Sequence, residues 1–250
     1  MNRPVPHRVE RPALSIVVPT FNEQDNVAPL VREILASLPR GTLVFEILYV
    51  DDGSTDDTLA VLHALKAKVP ELRIIRHSVN AGQSAAIRTG VRAARGEWIA
   101  TLDGDGQNDP ADIARLCTER DRSPPEVKLF AGWRTQRRDS RSKRWASKWA
   151  NALRGRLLRD DTPDTGCGMK LFERAAYLDL PAFDHMHRFL PALMQRAGWR
   201  TASVPVNHRP RTRGASKYNN LDRALVGISD LLGVAWLIKR AKFPAAEELG

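Results

Sequence analysis

The stretch Glu97-Trp-Ile-Ala-Thr-Leu-Asp-Gly-Asp-Gly-Gln-Asn-Asp-Pro110 decides the fold. Its first half is a short apolar run of strand length behind Gly96. The run stops on an acidic, glycine-rich cluster, Asp103 to Asp109, and Pro110 then opens a helical pattern that lasts to Arg122. Proline costs nothing in a first helical turn, where its missing N–H has no partner anyway. The same order recurs on both sides. Leu14–Val18 reads as a buried strand stopped by Pro19, with a helix over Asp25–Leu38. Glu46–Val50 is followed by a helix over Asp56–Val69, and Leu72–Ile75 by an Ala-rich helix over Gln83–Arg95. Val127–Ala131 is a fifth strand. Short strands alternating with helices predict an α/β fold with a mostly parallel sheet flanked by helices.

In such a sheet, ligands bind beyond the carboxyl ends of the strands. The polar clusters fall there: Pro19-Thr-Phe-Asn-Glu23, Asp51-Asp-Gly-Ser-Thr-Asp56 and Asp103 to Asp109. Asp103 and Asp105, one residue apart at a strand end, can share one divalent cation. Hard oxygen ligands suit Mg²⁺ or Mn²⁺, completed by substrate phosphates and water. The same pair also fits plain turn and cap chemistry. The Asp51–Ser54 turn can cap a helix, accept hydrogen bonds from a base or ribose, or do both. Glu23 fits a first-turn acid as well as a ribose contact.

The last third differs. Arg134–Arg159 holds ten basic residues and one acid, Asp139. Within it Trp145, Trp149, Leu153 and Leu157 recur every four residues, an apolar helical stripe among basic neighbours. Such a segment suits an anionic membrane surface, and ordinary core packing of the two tryptophans stays open. Asp160–Gly168 is a polar loop, Met186–Ala197 a helix, and Ser203–His208 a late strand. Arg209–Lys217 is a basic Gly/Ser loop, and Leu221–Arg240 a final amphipathic helix with Leu225, Ile228, Leu232, Ala235 and Trp236 on one face.

The 250 residues are 42% apolar and 27% charged, enough for one sizeable core. Lys and Arg exceed Asp and Glu by 39 − 29 = 10, which points to anionic partners. Two distant cysteines, Cys117 and Cys167, exclude a disulfide scaffold and suit a reducing cytoplasm. The N-terminus has no apolar signal-peptide core, and Leu231–Ile238 is too short to cross a bilayer. The histidines form no metal-binding pattern, and Cys167 reads as a small packing residue.

Pro19-Thr-Phe-Asn-Glu23, Val50-Asp-Asp-Gly-Ser54 and Leu102-Asp-Gly-Asp-Gly-Gln-Asn-Asp-Pro110, in this order and spacing, resemble family 2 glycosyltransferases of the GT-A fold, over roughly residues 13–131. Gln107-Asn-Asp-Pro110 and Arg211-x-x-Gly214-x-Ser216-Lys217 narrow the likeness to polyprenyl-phosphate glycosyltransferases, the dolichol-phosphate mannose synthase group, and extend it to about residue 220. The resemblance implies a GT-A, Rossmann-like domain at 13–220, between a flexible tail at 1–12 and a C-terminal amphipathic helix and tail at 221–250.

It also implies a metal-dependent, inverting transfer of a sugar from a UDP- or GDP-linked donor to an undecaprenyl- or dolichyl-type phosphate. By matched position, Pro19, Phe21 and Glu23 contact the donor nucleotide, and Val50 and Asp52 hold its base and ribose. Asp103, Gly104 and Gln107 meet the diphosphate, with Asp103, Asp105 and Gln107 around the metal. Arg134 meets phosphates, and Arg211 and Lys217 lie on a loop that closes over the substrates. Asp164 sits where relatives carry an active-site acid, for positioning or as a base. Phe21 departs from a tyrosine common in the family, which keeps stacking and drops a hydroxyl. Relatives often continue into membrane helices after the last helix. This chain is therefore expected at the cytoplasmic membrane face, peripherally or through a membrane-anchored partner or homo-oligomer.

Other classes fit less well. The turn after the first strand lacks the G-x-G-x-x-G of a dinucleotide binder, and no P-loop motif is present. Carboxylate-rich strand ends would repel nucleic acid. A non-catalytic relative would not need all the matched acids. A sugar or glycan acceptor in place of a lipid stays open.

Overall fold

The computed structural model describes residues 11–38, 41, 43–135, 155, 157, 158, 160, 162–210, 220–242 and 247, with only the backbone of 220–226. Arg211, Lys217, Trp145, Trp149, Leu153, most of the basic stretch and most of the N-terminal tail lie outside the described residues.

Among the described residues, seven strands form one sheet. They are β1 (Leu14–Thr20), β2 (Phe45–Asp51), β3 (Leu72–Arg76), β4 (Trp98–Thr101), β5 (Val127–Arg134), β6 (Lys170–Glu173) and β7 (Arg200–Val206). Among the described residues the helices with both ends placed are α1 (Gln24–Ser37), α2 (Thr58–Lys66), α3 (Gln83–Ala93), α4 (Asp112–Arg122), α5 (Arg174–Leu178), α6 (Leu190–Arg196) and α7 (Asn220–Arg240), with a 3-10 turn at Met186–Arg188. The strand order is β3-β2-β1-β4-β6-β5-β7. Every pairing is parallel except those of β6, which runs antiparallel to β4 and β5.

All seven residues of β1 are buried, because helices cover both faces of a parallel sheet. Side-chain alternation then divides the strand. Leu14, Ile16 and Val18 join one core with Val27, Val31, Leu62 and Ile113 of α1, α2 and α4. Val17 joins the other with Ile87, Val91, Tyr177, Leu193 and Val234 of α3, α5, α6 and α7. Gly90 lets α3 lie against the sheet, since a Cβ there would strike Val17 and Val50.

The mostly parallel sheet agrees with the sequence-based expectation. Three local expectations are corrected. β6 and α5 were not expected at all. Met186–Ala197 is not one helix: His185 adopts a left-handed backbone (φ 60°), a 3-10 turn follows, and α6 starts only at Leu190. Pro191 explains the restart, since proline is tolerated in a helix's first turn and not in its interior. β7 begins at Arg200, three residues ahead of Ser203, and ends at Val206.

Candidate active site

Three loops at the carboxyl ends of β1, β2 and β4 form one rim. Asn22, left-handed at φ 53°, ties the first two together. Its amide oxygen accepts the Thr55 N–H at 2.8 Å, and its own N–H donates to Ser54 Oγ at 2.9 Å. Phe21 and Glu23 flank it, both partly exposed, and Glu23 accepts from Asn26 Nδ2 at 2.6 Å. Pro19 and Val50 are adjacent buried strand residues, and Val50's side chain packs near Gly90.

Asp52 is almost entirely buried. Its Oδ1 meets His77 Nδ1 at 2.6 Å and accepts the Ala81 N–H at 2.9 Å, while Oδ2 accepts the Gly82 N–H at 2.8 Å. Both oxygens thus have internal partners that pin the loop ahead of α3.

The Asp103–Asp109 loop lies beside this. Gly104 passes so close to Pro19 O and Thr20 that a side chain there would collide with them. Asn108, buried, accepts the Asp103 N–H at 2.8 Å and fixes the turn. Asp105 Oδ1 accepts the Gln107 N–H at 3.1 Å. Asp103 Oδ1 accepts from Gln83 Nε2 at 2.8 Å. Desolvation, and then the nearby Asp105 charge, push the Asp103 carboxyl up to about 6. A carboxylate held at this cost beside a second one is what a divalent cation relieves, and the hard oxygen donors fit Mg²⁺ or Mn²⁺.

Cations approach the acids from the other side. Arg134, at the end of β5, grips Asp164 through two bonds, Nε to Oδ2 at 2.6 Å and Nη2 to Oδ1 at 2.8 Å. The Arg134 backbone N–H adds a third, to Oδ2, at 3.3 Å. Burial alone would weaken the guanidinium's charge, and the Asp164 bonds outweigh it, so Arg134 stays firmly protonated. Lys170, buried at the start of β6, donates to the carbonyls of Thr165 and Cys167. Burial pulls its pKa down, while Asp103 and Asp164 are among the groups that hold it up. A backbone brace crosses the gap, with Gly132 N–H donating to Met169 O at 2.9 Å.

The chain leaving β7 is sewn to the acidic loop. Arg209 N–H donates to Gln107 O at 2.9 Å, and Gln107 Nε2 returns a bond to Arg209 O at 3.3 Å. The Arg209 guanidinium reaches Asp109 at 2.8 Å and Glu33 at 2.6 Å.

Asp103, Gly104, Asp105, Gln107, Arg134 and Asp164 are thus brought to one place, with Pro19, Phe21, Glu23, Val50 and Asp52 along the neighbouring rim. Sequence reasoning missed Gln83, Asn108 and Lys170, while His187 proves a histidine satisfied by Ser84, as expected. His187 is half-buried and bonded through Nδ1 to Ser84 Oγ at 2.7 Å. Burial, then the Lys170 charge, hold its pKa well below the ordinary imidazole range. Lys170 alone carried a signal: a lysine opening the apolar run Lys170-Leu-Phe-Glu173 behind a glycine-rich loop. Among the described residues no cluster of three His, Cys, Asp or Glu forms a further metal site, and no helix is long and apolar enough to cross a membrane.

Comparison with known proteins agrees with this layout. The family model described as glycosyl transferase family 2 matches residues 15–180. A dodecaprenyl-phosphate galacturonate synthase from Rhizobium johnstonii is 39% identical over 232 residues, covering 90% of this chain and 67% of that protein. An undecaprenyl-phosphate 4-deoxy-4-formamido-L-arabinose transferase from Sodalis glossinidius is 35% identical, covering 82% of this chain and 63% of that one. The chain thus spans about two thirds, or slightly less, of the length of these relatives. Among solved structures, a Pyrobaculum calidifontis mannosyltransferase in complex with GDP-Man and Mn²⁺ superposes with a TM-score of 0.65 at 20% identity, covering 94% of this chain and 67% of that chain. Glucosyl-3-phosphoglycerate synthase from Mycobacterium tuberculosis, with Mg²⁺ and UDP, gives 0.65 at 17% identity, covering 94% and 81%. These likenesses show the GT-A fold. An acidic pair at the end of β4, a rim of loops at the strand ends and a match over residues 15–180 have one common source: the chain belongs to glycosyl transferase family 2.

Proposed function

We propose that this chain moves a sugar from a UDP- or GDP-linked donor to a polyprenyl phosphate, with inversion, at the cytoplasmic face of a membrane. The observation that carries the reading is the meeting of the Asp103/Asp105 pair with the Arg134–Asp164 pair and buried Lys170. It offers a cation site and phosphate-directed cations side by side. The names of the two curated relatives support a polyprenyl-phosphate acceptor. The ligands in the two solved structures support a nucleotide-linked donor and a divalent metal.

Asp103, Asp105 and the amide oxygen of Gln107 would hold Mg²⁺ or Mn²⁺, which supplies positive charge against the departing nucleoside diphosphate. Pro19, Phe21, Glu23 and Val50 frame the nucleotide, and Asp52 shapes that wall by holding His77 and the Ala81 and Gly82 amides. Gly104 lets the acidic loop lie directly on β1, where a side chain would strike Pro19 O and Thr20, and so holds Asp103 and Asp105 beside the proposed diphosphate position. Arg134 stabilises charge that grows on the phosphates as the sugar bond breaks. The acceptor's phosphate oxygen is already anionic at neutral pH, so no strong base is required. Asp164, held by Arg134 through both oxygens, orients that arginine. Arg211 and Lys217 would add positive charge toward the phosphates.

The test is transfer of radiolabelled sugar from a panel of UDP- and GDP-sugars to short polyprenyl phosphate, with Mn²⁺ or Mg²⁺, with EDTA, and with Asp105→Ala. Organic-extractable product that needs the metal and disappears in the variant is the expected result. Metal-dependent donor hydrolysis without lipid product would reject the acceptor.

A further inference from the structure

Ser84, buried in the first turn of α3, makes two bonds to His187. The His187 N–H donates to Ser84 Oγ at 3.3 Å, and the ring's Nδ1 lies 2.7 Å from the same oxygen. A serine hydroxyl has one proton, and among the described residues that of Ser84 has no other acceptor. The hydroxyl therefore donates to Nδ1, and the proton of the neutral ring sits on Nε2. Nε2 has no partner of its own among the described residues. The turn that carries the ring is held from both sides. Met186 is buried in the core, where Tyr177 Oη meets its Sδ at 3.8 Å. His185 is fixed by Asp230 Oδ2, 3.0 Å from Nδ1, and by Asp184 Oδ2, 3.6 Å from Nε2. Both nearby acids are thus engaged with His185. The side chains whose charge bears on His187 are Lys170, Arg188 and His185, none of them an acid, and with burial they keep its ring neutral. Gln83, next to Ser84, holds Asp103, and Asp103 also supports the Lys170 charge. The open nitrogen therefore belongs to the acidic site.

We infer that His187 binds a phosphate oxygen of the acceptor through Nε2–H, beside the Lys170 ammonium. This rests on the acceptor class proposed above. An N–H donor left open among positive neighbours calls for an anionic oxygen. The donor's diphosphate is met by the cation that Asp103, Asp105 and Gln107 would hold. The acceptor's phosphate brings no cation with it, so side chains must receive it. A neutral ring suits that task. An imidazolium would hand its proton to the attacking oxygen and blunt it, whereas a neutral N–H orients the phosphate and leaves the attacking electron pair free. Lys170 supplies the charge. Ser84 is the positioning residue, because its hydroxyl fixes the tautomer and the ring's direction.

The test reads binding and turnover separately, on the whole chain. Farnesyl phosphate, with farnesol as the control that lacks phosphate, is titrated by calorimetry without any nucleotide sugar. Wild type is expected to bind the phosphate and not the alcohol. His187→Ala should weaken that binding about tenfold or more, the cost of one hydrogen bond to a charged group. His187→Gln, whose amide N–H reaches close to the place of Nε2, should recover most of it. In sugar transfer the alanine variant should raise KM for farnesyl phosphate by a similar factor and leave KM for the donor as in wild type. A second measurement needs no variant to fold well. In ¹⁵N-labelled wild type the His187 ring, identified by its absence from His187→Gln, should show the Nε2–H tautomer. Its resonance should move with farnesyl phosphate and stay still with farnesol. Ser84→Ala should lose the fixed tautomer in the same spectrum. Farnesyl phosphate binding that moves the resonance, without sugar transfer by wild type from any donor, would fail the proposed function and leave the site standing. Sugar transfer with an unmoved resonance would overturn the inference and leave the function standing. A rise in KM for the donor in place of the acceptor would overturn it too.

Discussion

Gly168 lies against the Asp103 carboxylate so closely that a single added methyl group would overlap both of its oxygens. The glycine comes from the loop ahead of β6, the aspartate from the end of β4. Thr101 Oγ1 donates to Gly168 O at 2.6 Å and holds the two together. Gly168→Ala should displace the carboxylate without unfolding the sheet. Its expected effect is a loss of about tenfold or more in Mn²⁺ affinity by titration calorimetry, at little cost in melting temperature. Unchanged affinity would show that Asp103 is not a ligand.

The Asp103 carboxyl, raised to about 6, sets a pH dependence. With no cation bound, its neutral form is favoured, so its share of stability is complete below its unfolded value and is lost as pH rises through about 6. A cation needs the ionised form. Mn²⁺ should therefore raise the melting temperature clearly at pH 7.5 and weakly at pH 5, as followed by scanning calorimetry. An equal shift at both values would contradict this.

Arg134 and Asp164 separate by their kinetics. Arg134→Ala should lower kcat about 100-fold, the cost of one lost charge-stabilising donor. Arg134→Lys should recover little, since a lysine cannot make the two-pronged grip on Asp164. Asp164→Asn should lower the rate and leave the shape of the pH–rate profile intact. Loss of its acidic limb would instead mark Asp164 as a base.

Glu46 stabilises the opposite end of the sheet. It accepts from Ser15 Oγ, the Arg95 N–H and Arg73 Nη1, each at 2.6 Å. Burial would raise its pKa, but these bonds prevail and lower it. Its stabilisation is thus present above the unfolded value of a glutamate and is lost as pH falls through the folded one. Glu46→Ala should cost about 2 kcal/mol at pH 7 by urea denaturation, and less at pH 3. Sugar transfer by the folded fraction should not change.

The parts legible in the sequence are those written locally. β2 and β4 announce themselves because each apolar run stops at an acidic turn; β1 was legible as an apolar run, but it continues through Pro19, the expected stop, to Thr20. Asp103 and Asp105 share one such turn, so spacing alone pairs them. Lys170 and Gln83 reach Asp103 from far along the chain, and no local pattern links them. β6 escaped because four residues with a charge at each end make no alternation. The grip of Arg134 on Asp164 spans 30 residues and appears only once β5 and β6 pair.

The reversed direction of β6 has a wider consequence. Chain leaves the site at Arg134 and re-enters it at Lys170, and the two ends are clasped by the Gly132–Met169 bond and the Asp164 carboxylate. Such a clasp makes the intervening excursion an interchangeable module, because lengthening a loop whose ends are already held adds only slowly to its closure entropy. The half from β1 to β4, made of consecutive strand–helix units, has no such freedom. Diversification within this architecture should therefore accumulate between residues 135 and 159, while Asp164 and Gly168, which touch Arg134 and Asp103, stay fixed.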